Sequence, residues 1–291
     1  MLTPSTRRDL KYQLSLTKTN KYGLIGHPIN HSLSPALFRA GFNGLYSYDL
    51  IKGEDFEESI KHFLEGYDAI NVTAPFKEEA CTKADIVSSE CKATQACNVL
   101  MKTPNGILAA NTDFSAVMKC LIPHQITGKV NPLTVVIGCG GAGKAAAYAA
   151  CELGNKVIIL NRTFNKAHKF AEHLSQLNSR YDVSVRPIDE FCRWFRKAGT
   201  IIYTLPTCID QVNDLKSSDI RGKIIGHDNK IILEANYKNA TFSEDRLKML
   251  TYKNPKIRYI NGKEWLLEQA VEAFGLFTGR EPNIQEMIKV I

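Results

Sequence analysis

The residue types best suited to chemistry begin at a glycine turn. Thr134-Val135-Val136-Ile137-Gly138-Cys139-Gly140-Gly141-Ala142-Gly143 runs from an apolar, strand-type segment into a G-x-G-x-x-G turn and an alanine-rich helical stretch. Glycines at the first two fingerprint positions allow a tight turn and let backbone N–H groups approach a pyrophosphate, whose charge is favoured at the positive end of the following helix. A NAD site normally offers an acid to the adenosine ribose about 20 residues later. Between Glu152 and Glu172 this chain has no acid; the next strand instead exits into Asn161-Arg162-Thr163, with Lys166 one turn on. A planar guanidinium, an ammonium and two neutral hydrogen-bonding side chains suit a 2′-phosphate, so the expected cofactor is NADP.

Three further segments carry polar groups at places where a fold can use them. His31-Ser32-Leu33-Ser34-Pro35 sets two hydroxyls before a helix start. Either Ser34 caps that helix with Pro35 at its first position, or the hydroxyls bind an anion there. In Asn71-Val72-Thr73-Ala74-Pro75-Phe76-Lys77 a strand ends at its carboxyl edge and a lysine follows in a proline-broken turn. Open α/β sheets bind ligands at that edge, although a lysine in a turn is also an ordinary solvated residue. Asn98 follows a run of small residues, and Asn111-Thr112-Asp113 precedes a helix over Phe114 to Leu121, which Thr112 or Asp113 can cap.

The elements that must position these groups follow from periodicity. Short β-branched or aromatic runs alternate with amphipathic stretches, which predicts an α/β chain with parallel sheet and crossover helices. Expected strands are Lys21 to Gly26, Tyr46 to Ile51, Ala69 to Thr73 and Asn98 to Met101, with helices over Pro35 to Ala40, Asp55 to Leu64 and Asp85 to Thr94. A second series has strands Leu133 to Gly138, Lys156 to Leu160, Thr200 to Thr204 and Lys230 to Ala235, with helices Gly141 to Leu153 and Asn165 to Leu177. Ile122 to Pro132, with two prolines and a glycine, reads as the linker.

Composition narrows the partners. With 291 residues and 44% apolar content, two domains of ordinary size are expected. The net charge of +7, from 37 basic against 30 acidic residues, is spread along the chain, which favours small anionic ligands over nucleic acid. None of the eight cysteines forms a C-x-x-C pair, so reduced thiols and no metal site are expected. No apolar run reaches the ~18 residues of a membrane span. Met1 to Asn20 lacks the apolar region of a signal peptide and reads as a loose leader, so a cytoplasmic location is expected.

In this order and spacing the segments resemble the shikimate dehydrogenase family along nearly the whole chain. The family's G-x-P-x-x-H-S-x-S-P stands here as Gly26 to Pro35, its N-V-T-x-P-x-K as Asn71 to Lys77, its N-T-D as Asn111 to Asp113, and its N-R-T clamp as Asn161 to Thr163. The glycine loop is similar over Gly138, Gly140, Gly141, Ala142 and Gly143, and Leu266-Leu267-Glu268-Gln269-Ala270 is similar to the closing helix. The resemblance implies NADPH-dependent, reversible reduction of 3-dehydroshikimate to shikimate in aromatic amino acid (chorismate) biosynthesis, with Lys77 and Asp113 as the catalytic pair. It further implies that Ser32 and Ser34 hold the substrate carboxylate, that Thr73, Asn98 and Gln269 bond the ring hydroxyls, and that Tyr237 lies near the substrate. It implies two α/β lobes with the active-site cleft between them: a substrate-binding lobe over 1–112, completed by 264–291 through a C-terminal helix that returns to it, and a Rossmann-type NADP lobe over 113–263. A monomer or a homodimer fits these expectations.

The chain departs from the family pattern at three places. Ala96-Cys97-Asn98-Val99 replaces A-V-N-T. Tyr203-Thr204-Leu205-Pro206 lacks the N-x-T and following glycine near the nicotinamide, and Trp265-Leu266 replaces a methionine-leucine pair. The alternatives are a quinate/shikimate dehydrogenase using NAD or NADP, against which Arg162 argues, and a non-catalytic sensor of NADP or shikimate, which needs neither Lys77 nor Asp113. A folate-type dehydrogenase fits the Ser32 and Ser34 site poorly.

Overall fold

The computed structural model describes residues 19–124, 132–215, 219 and 229–291. The leader reading through residue 18 and the linker reading over 125–131 lie outside the described residues. The chain divides into two compact units, Met1–Ser115 with Leu267–Ile291, and Ala116–Leu266.

The first unit is built on β1 (Lys21–Ile25), α1 (Ser34–Gly41), β2 (Ser47–Leu50), α2 (Phe56–Gly66), β3 (Ala69–Val72), α3 (Lys77–Cys81), β4 (Ile86–Val87), α4 (Ser89–Thr94), β5 (Val99–Thr103), β6 (Gly106–Ala110) and the start of α5 (Thr112–Leu121). Its sheet runs β2-β1-β3-β5-β6-β4 and is mixed, not parallel as expected: β3 with β5 and β5 with β6 are antiparallel. Only Pro104 and Asn105 separate the paired ends Thr103 and Gly106. A two-residue connection can close a hairpin, whereas a parallel return needs a dozen or more residues. Gly106 takes φ +111° there, a conformation that side chains rarely adopt.

The helix expected over Asp85 to Thr94 is also revised. The Asp85 carboxylate accepts the Ile107 N–H at 2.7 Å and ties that segment to the hairpin. Ile86 and Val87 then pair with β6, and α4 starts only where Ser88 caps it by accepting the Cys91 N–H at 3.2 Å.

The second unit comprises β7 (Leu133–Ile137), α6 (Gly141–Glu152), β8 (Lys156–Asn161), α7 (Phe164–Leu177), β9 (Val183–Pro187), α8 (Phe191–Lys197), β10 (Thr200–Tyr203), β11 (Lys230–Glu234), α9 (Glu244–Lys253) and β12 (Ile257–Ile260). Every pairing in its sheet is parallel, in the order β12-β11-β10-β7-β8-β9. That is the doubly wound dinucleotide order, with the reversal between β7 and β10. Val135–Ile137, Val157–Leu160 and Ile201–Tyr203 are buried without alternation, as expected for strands covered on both faces.

α10 (Gly262–Thr278) begins in the second unit and ends in the first, where Phe274 and Phe277 stack on Phe38 of α1. α11 (Ile284–Ile288) follows it. Among the described residues no helix is long and apolar enough to cross a membrane.

One lysine of the second core has a measurable consequence. Lys230 is 4% exposed, and its Nζ donates to the carbonyls of Phe195 and Ala198, the open C-terminal acceptors of α8, at 2.5 Å each. Burial pushes its pKa from 10.5 down to about 7. Between those values the unfolded chain binds a proton that the folded chain has released, so this group makes stability rise with pH from about 7 to 10.5. Denaturant unfolding at both ends of the window should show Lys230→Met losing a rise on the order of 3 kcal/mol relative to the parent. Equal slopes for the two proteins would exclude Lys230 as the source.

Candidate active site

In the first unit the lysine of the proline-broken turn is drawn inward. The Thr73 N–H continues the β1 pairing to the Ile25 carbonyl (2.9 Å), and the Phe76 N–H closes the turn on the Thr73 carbonyl (3.0 Å). A Cβ on Gly26 would stand 2.3 Å from Thr73 Cγ2 and 2.9 Å from the Ala74 carbonyl, so this close approach requires glycine. Lys77 opens α3, and its carbonyl accepts the Cys97 N–H at 2.9 Å. Its ammonium meets Asp113 Oδ2 at 2.5 Å, with side-chain exposures of only 15% and 8%. A lysine so placed is not a solvated surface residue.

Asp113 does not cap α5, and neither does Thr112. The cap is Asn111, whose Oδ1 accepts the Phe114 N–H at 3.3 Å while its amide donates to Thr94 Oγ1 (3.1 Å) and the Ala96 carbonyl (3.0 Å). With the cap supplied from 111, the carboxylate two residues on is turned to Lys77.

A hydrogen-bonded chain of buried amides and hydroxyls lies beside this pair. Asn98 Oδ1 accepts the Thr112 N–H at 2.7 Å, and its Nδ2 donates to Thr112 Oγ1 (2.9 Å) and Gln269 Oε1 (3.3 Å). Asn71 Nδ2 donates to the Asn98 carbonyl (3.3 Å), and Asn71 Oδ1 accepts the Tyr48 hydroxyl (2.8 Å). Tyr48 is also hydrogen-bonded to Ser34, while burial holds its phenol well above the ordinary range and so protonated. Ser34 is buried within the first turn of α1 and is not its cap; Leu33 holds that position without a side-chain bond, and Ser32 Oγ accepts the Ser34 N–H at 3.2 Å. Ser32, Ser34, Thr73, Lys77, Asn98, Asp113 and Gln269 thus all belong to one unit. Tyr48 is the member that sequence motifs missed; its one signal was its place on the buried face of the Tyr46 to Ile51 strand.

The second unit carries the glycine turn. The Gly138 N–H bonds the Leu160 carbonyl at 2.9 Å, and a Cβ on Gly143 would lie 2.3 Å from the Gly138 carbonyl, so the third fingerprint glycine permits α6 to pack on β7. Gly140 caps α6 with no side-chain bond, a Cβ there would meet open space, and no acid occupies the first turn. An anion fits those first-turn N–H groups of α6, which have no partner inside the helix. β8 pairs with β7, Ile137 opposite Leu160, so Asn161 and Arg162 leave the sheet at the same edge as the turn. Asn161 donates to the Thr163 carbonyl (3.0 Å), while Arg162, Thr163 and Lys166 are exposed. The donor set and its edge fit a dinucleotide with a 2′-phosphate.

Where the family asparagine is missing, Tyr203 is wholly buried; its hydroxyl donates to the Thr207 carbonyl (2.8 Å) and accepts the Ile209 N–H (3.0 Å), so it folds the loop after β10. Tyr237 is half-buried in the turn after β11, against which Gly262 packs: a Cβ on Gly262 would lie 2.7 Å from the Tyr237 nitrogen. Tyr237 therefore belongs to the second unit.

Comparison with known proteins finds similar sequences and folds. Residues 24–100 match the shikimate dehydrogenase substrate binding domain, and residues 266–291 match the shikimate 5'-dehydrogenase C-terminal domain. The NADP(+) shikimate dehydrogenase of Aquifex aeolicus (strain VF5) is 32% identical over 280 residues, 91% of this chain and 93% of that protein. A solved shikimate dehydrogenase in complex with NADP+ superposes with a TM-score of 0.74 at 25% identity, covering 93% of each chain. A quinate dehydrogenase from Corynebacterium glutamicum in complex with NAD has a TM-score of 0.75 at 21% identity, covering 93% of this chain and 97% of that one, and shares the fold alone.

Proposed function

The chain belongs to the shikimate dehydrogenase family, and from that premise we propose that it interconverts 3-dehydroshikimate and shikimate with NADP(H), using Lys77 and Asp113 as its catalytic pair. The 2.5 Å contact between those two side chains, beside the Asn98 and Gln269 amides, is the observation that carries this reading. NADPH, when bound, supplies the hydride that reduces the ring carbonyl. Negative charge then grows on the carbonyl oxygen, and the Lys77 ammonium donates a hydrogen bond to that oxygen and then its proton. In the other direction the neutral amine takes the hydroxyl proton. Asp113 fixes the direction of the ammonium and keeps it from rotating among its rotamers.

Ser32 and Ser34 are assigned to the substrate carboxylate, Thr73, Asn98 and Gln269 to the ring hydroxyls, and Tyr237 to the neighbourhood of the substrate. The first unit, expected over 1–112 with 264–291 and compact over 1–115 with 267–291, is assigned to the substrate, so that Asp113 stays with Lys77, and the second unit, expected over 113–263, is assigned to NADP through Gly138 to Gly143, Asn161, Arg162, Thr163 and Lys166. The dispersed positive charge and eight cysteines outside any disulfide support a cytoplasmic enzyme, monomeric or homodimeric, with no nucleic acid partner.

Purified protein should oxidise NADPH on addition of 3-dehydroshikimate and reduce NADP faster than NAD on addition of shikimate. Faster turnover of quinate with NAD would favour the quinate enzyme, and ligand binding without turnover would favour the sensor. Tyr48→Phe leaves Asn71 Oδ1 short of a buried donor, and is expected to lower stability by about 1–2 kcal/mol and to raise the substrate KM more than it lowers kcat. Unchanged Tm and KM would separate Tyr48 from the site.

A further inference from the structure

We propose that Asn236 is a positioning residue for the nicotinamide half of the cofactor, and that it acts by fastening the loop after β11 to the loop after β10. This rests on the NADP(H) reading given above. A dinucleotide lies across the crevice where the strand order reverses, here between β7 and β10. Its adenosine end belongs to the clamp after β8, on one side of β7. Its nicotinamide end then falls on the other side, over the carboxyl ends of β10 and β11.

The loop after β10 is pinned to the glycine turn at its start. The Thr204 N–H and hydroxyl both donate to the Ile137 carbonyl, at 3.0 and 2.7 Å. A Cβ on Gly138 would lie 2.7 Å from Thr204 Oγ1 and 2.9 Å from Leu205 Cδ2, so both side chains border the turn itself. The Tyr203 hydroxyl holds the other end of this loop at Thr207 and Ile209. Between these anchors the chain is held from β11: Asn236 Nδ2 donates to the Pro206 carbonyl at 2.9 Å. Leu205 is the residue that Asn236 acts through. Half-buried between Thr204 and Pro206, it offers an apolar surface beside the turn, where the ring follows the pyrophosphate.

Asn236 can serve as a fixed point because its own loop is closed at both ends. The Ala235 N–H continues the strand pairing to the Tyr203 carbonyl at 2.9 Å. Asn236 Nδ2 also donates to the Asn239 carbonyl (2.9 Å), while its Oδ1 accepts the Lys238 and Asn239 N–H groups (3.1 and 3.2 Å). Two donations and two acceptances fill the bonding capacity of the amide. At the far end, the wholly buried Glu234 carboxylate accepts the Thr241 N–H (2.5 Å), the Phe242 N–H (3.3 Å) and the Tyr259 hydroxyl (2.9 Å). A Cβ on Gly262 would stand 2.7 Å from the Ala235 carbonyl, so the start of α10 backs the same loop.

Direct binding to the whole protein separates the two halves of the ligand. NADPH carries both, whereas adenosine 2′,5′-bisphosphate carries the 2′-phosphate and no nicotinamide. By titration calorimetry, Asn236→Ala should bind NADPH about tenfold more weakly than the parent and the bisphosphate equally well. The unchanged bisphosphate affinity also shows that the second unit is folded. Asn236→Asp keeps the two acceptances and loses the two donations, so it should weaken NADPH at least as much. Unchanged NADPH affinity in Asn236→Ala, equal weakening of both ligands, or an Asn236→Asp variant that binds NADPH like the parent would each overturn the proposal. A parent that binds neither ligand would overturn the NADP(H) reading and this inference with it. A parent that binds both without turnover would count against the dehydrogenase activity alone, since the titrations do not depend on it.

Discussion

Lys77→Met is expected to lower kcat by about 10³-fold while changing the substrate KM much less. The ammonium donates to an oxygen that carries substantial charge only in the transition state, so its loss falls mainly on turnover. Methionine keeps most of the length of the side chain and removes every donor. Because Lys77 and Asp113 are both mostly buried, the substitution also leaves a carboxylate short of its partner, so the variant's thermal unfolding should be measured alongside. A folded Lys77→Met protein with turnover within a few-fold of the parent would remove Lys77 from the proton path.

Arg162→Ala should act on the cofactor instead. A guanidinium to phosphate contact makes charge-assisted, bidentate hydrogen bonds, and losing it costs about 2–3 kcal/mol, or roughly 30- to 150-fold in the KM for NADPH. NADH carries no 2′-phosphate, so its KM should stay nearly constant and the preference between the two cofactors should narrow by the same factor. Arg162 lies exposed beside the glycine turn, where its removal leaves the core intact. Equal weakening of both cofactors would place Arg162 on the shared part of the dinucleotide, and no weakening would remove it from the site.

The second unit was legible because its signals are local. The β7 apolar run, the glycine turn and the alanine-rich helix follow one another within about twenty residues, and a parallel strand buried on both faces shows as an uninterrupted apolar stretch. The edge strands β9 and β12 were missed because each is short and mixes exposed with buried residues. In the first unit the hairpin of β5 and β6 was missed: Pro104-Asn105 marks a turn, but β6 as Gly106-Ile-Leu-Ala-Ala carries little strand-specific composition.

The site divides the same way. The family resemblance pointed to Lys77, Asn98 and Asp113, whereas the segment read alone offered Thr112 or Asp113 as a cap, because the competing cap at Asn111 depends on Thr94 and Ala96, contacts 17 and 15 positions away. Tyr48 was invisible for a related reason: its role exists only through Ser34 and Asn71, on other elements.

The decisive measurement is a double-mutant cycle on kcat with Lys77→Ala, Asp113→Asn and the pair together. If ammonium and carboxylate work as one device, the double variant should be about as slow as Lys77→Ala alone, because Asp113 has nothing left to orient. Losses that multiply would mean that the two groups act independently, and that the 2.5 Å contact between them has no part in the reaction.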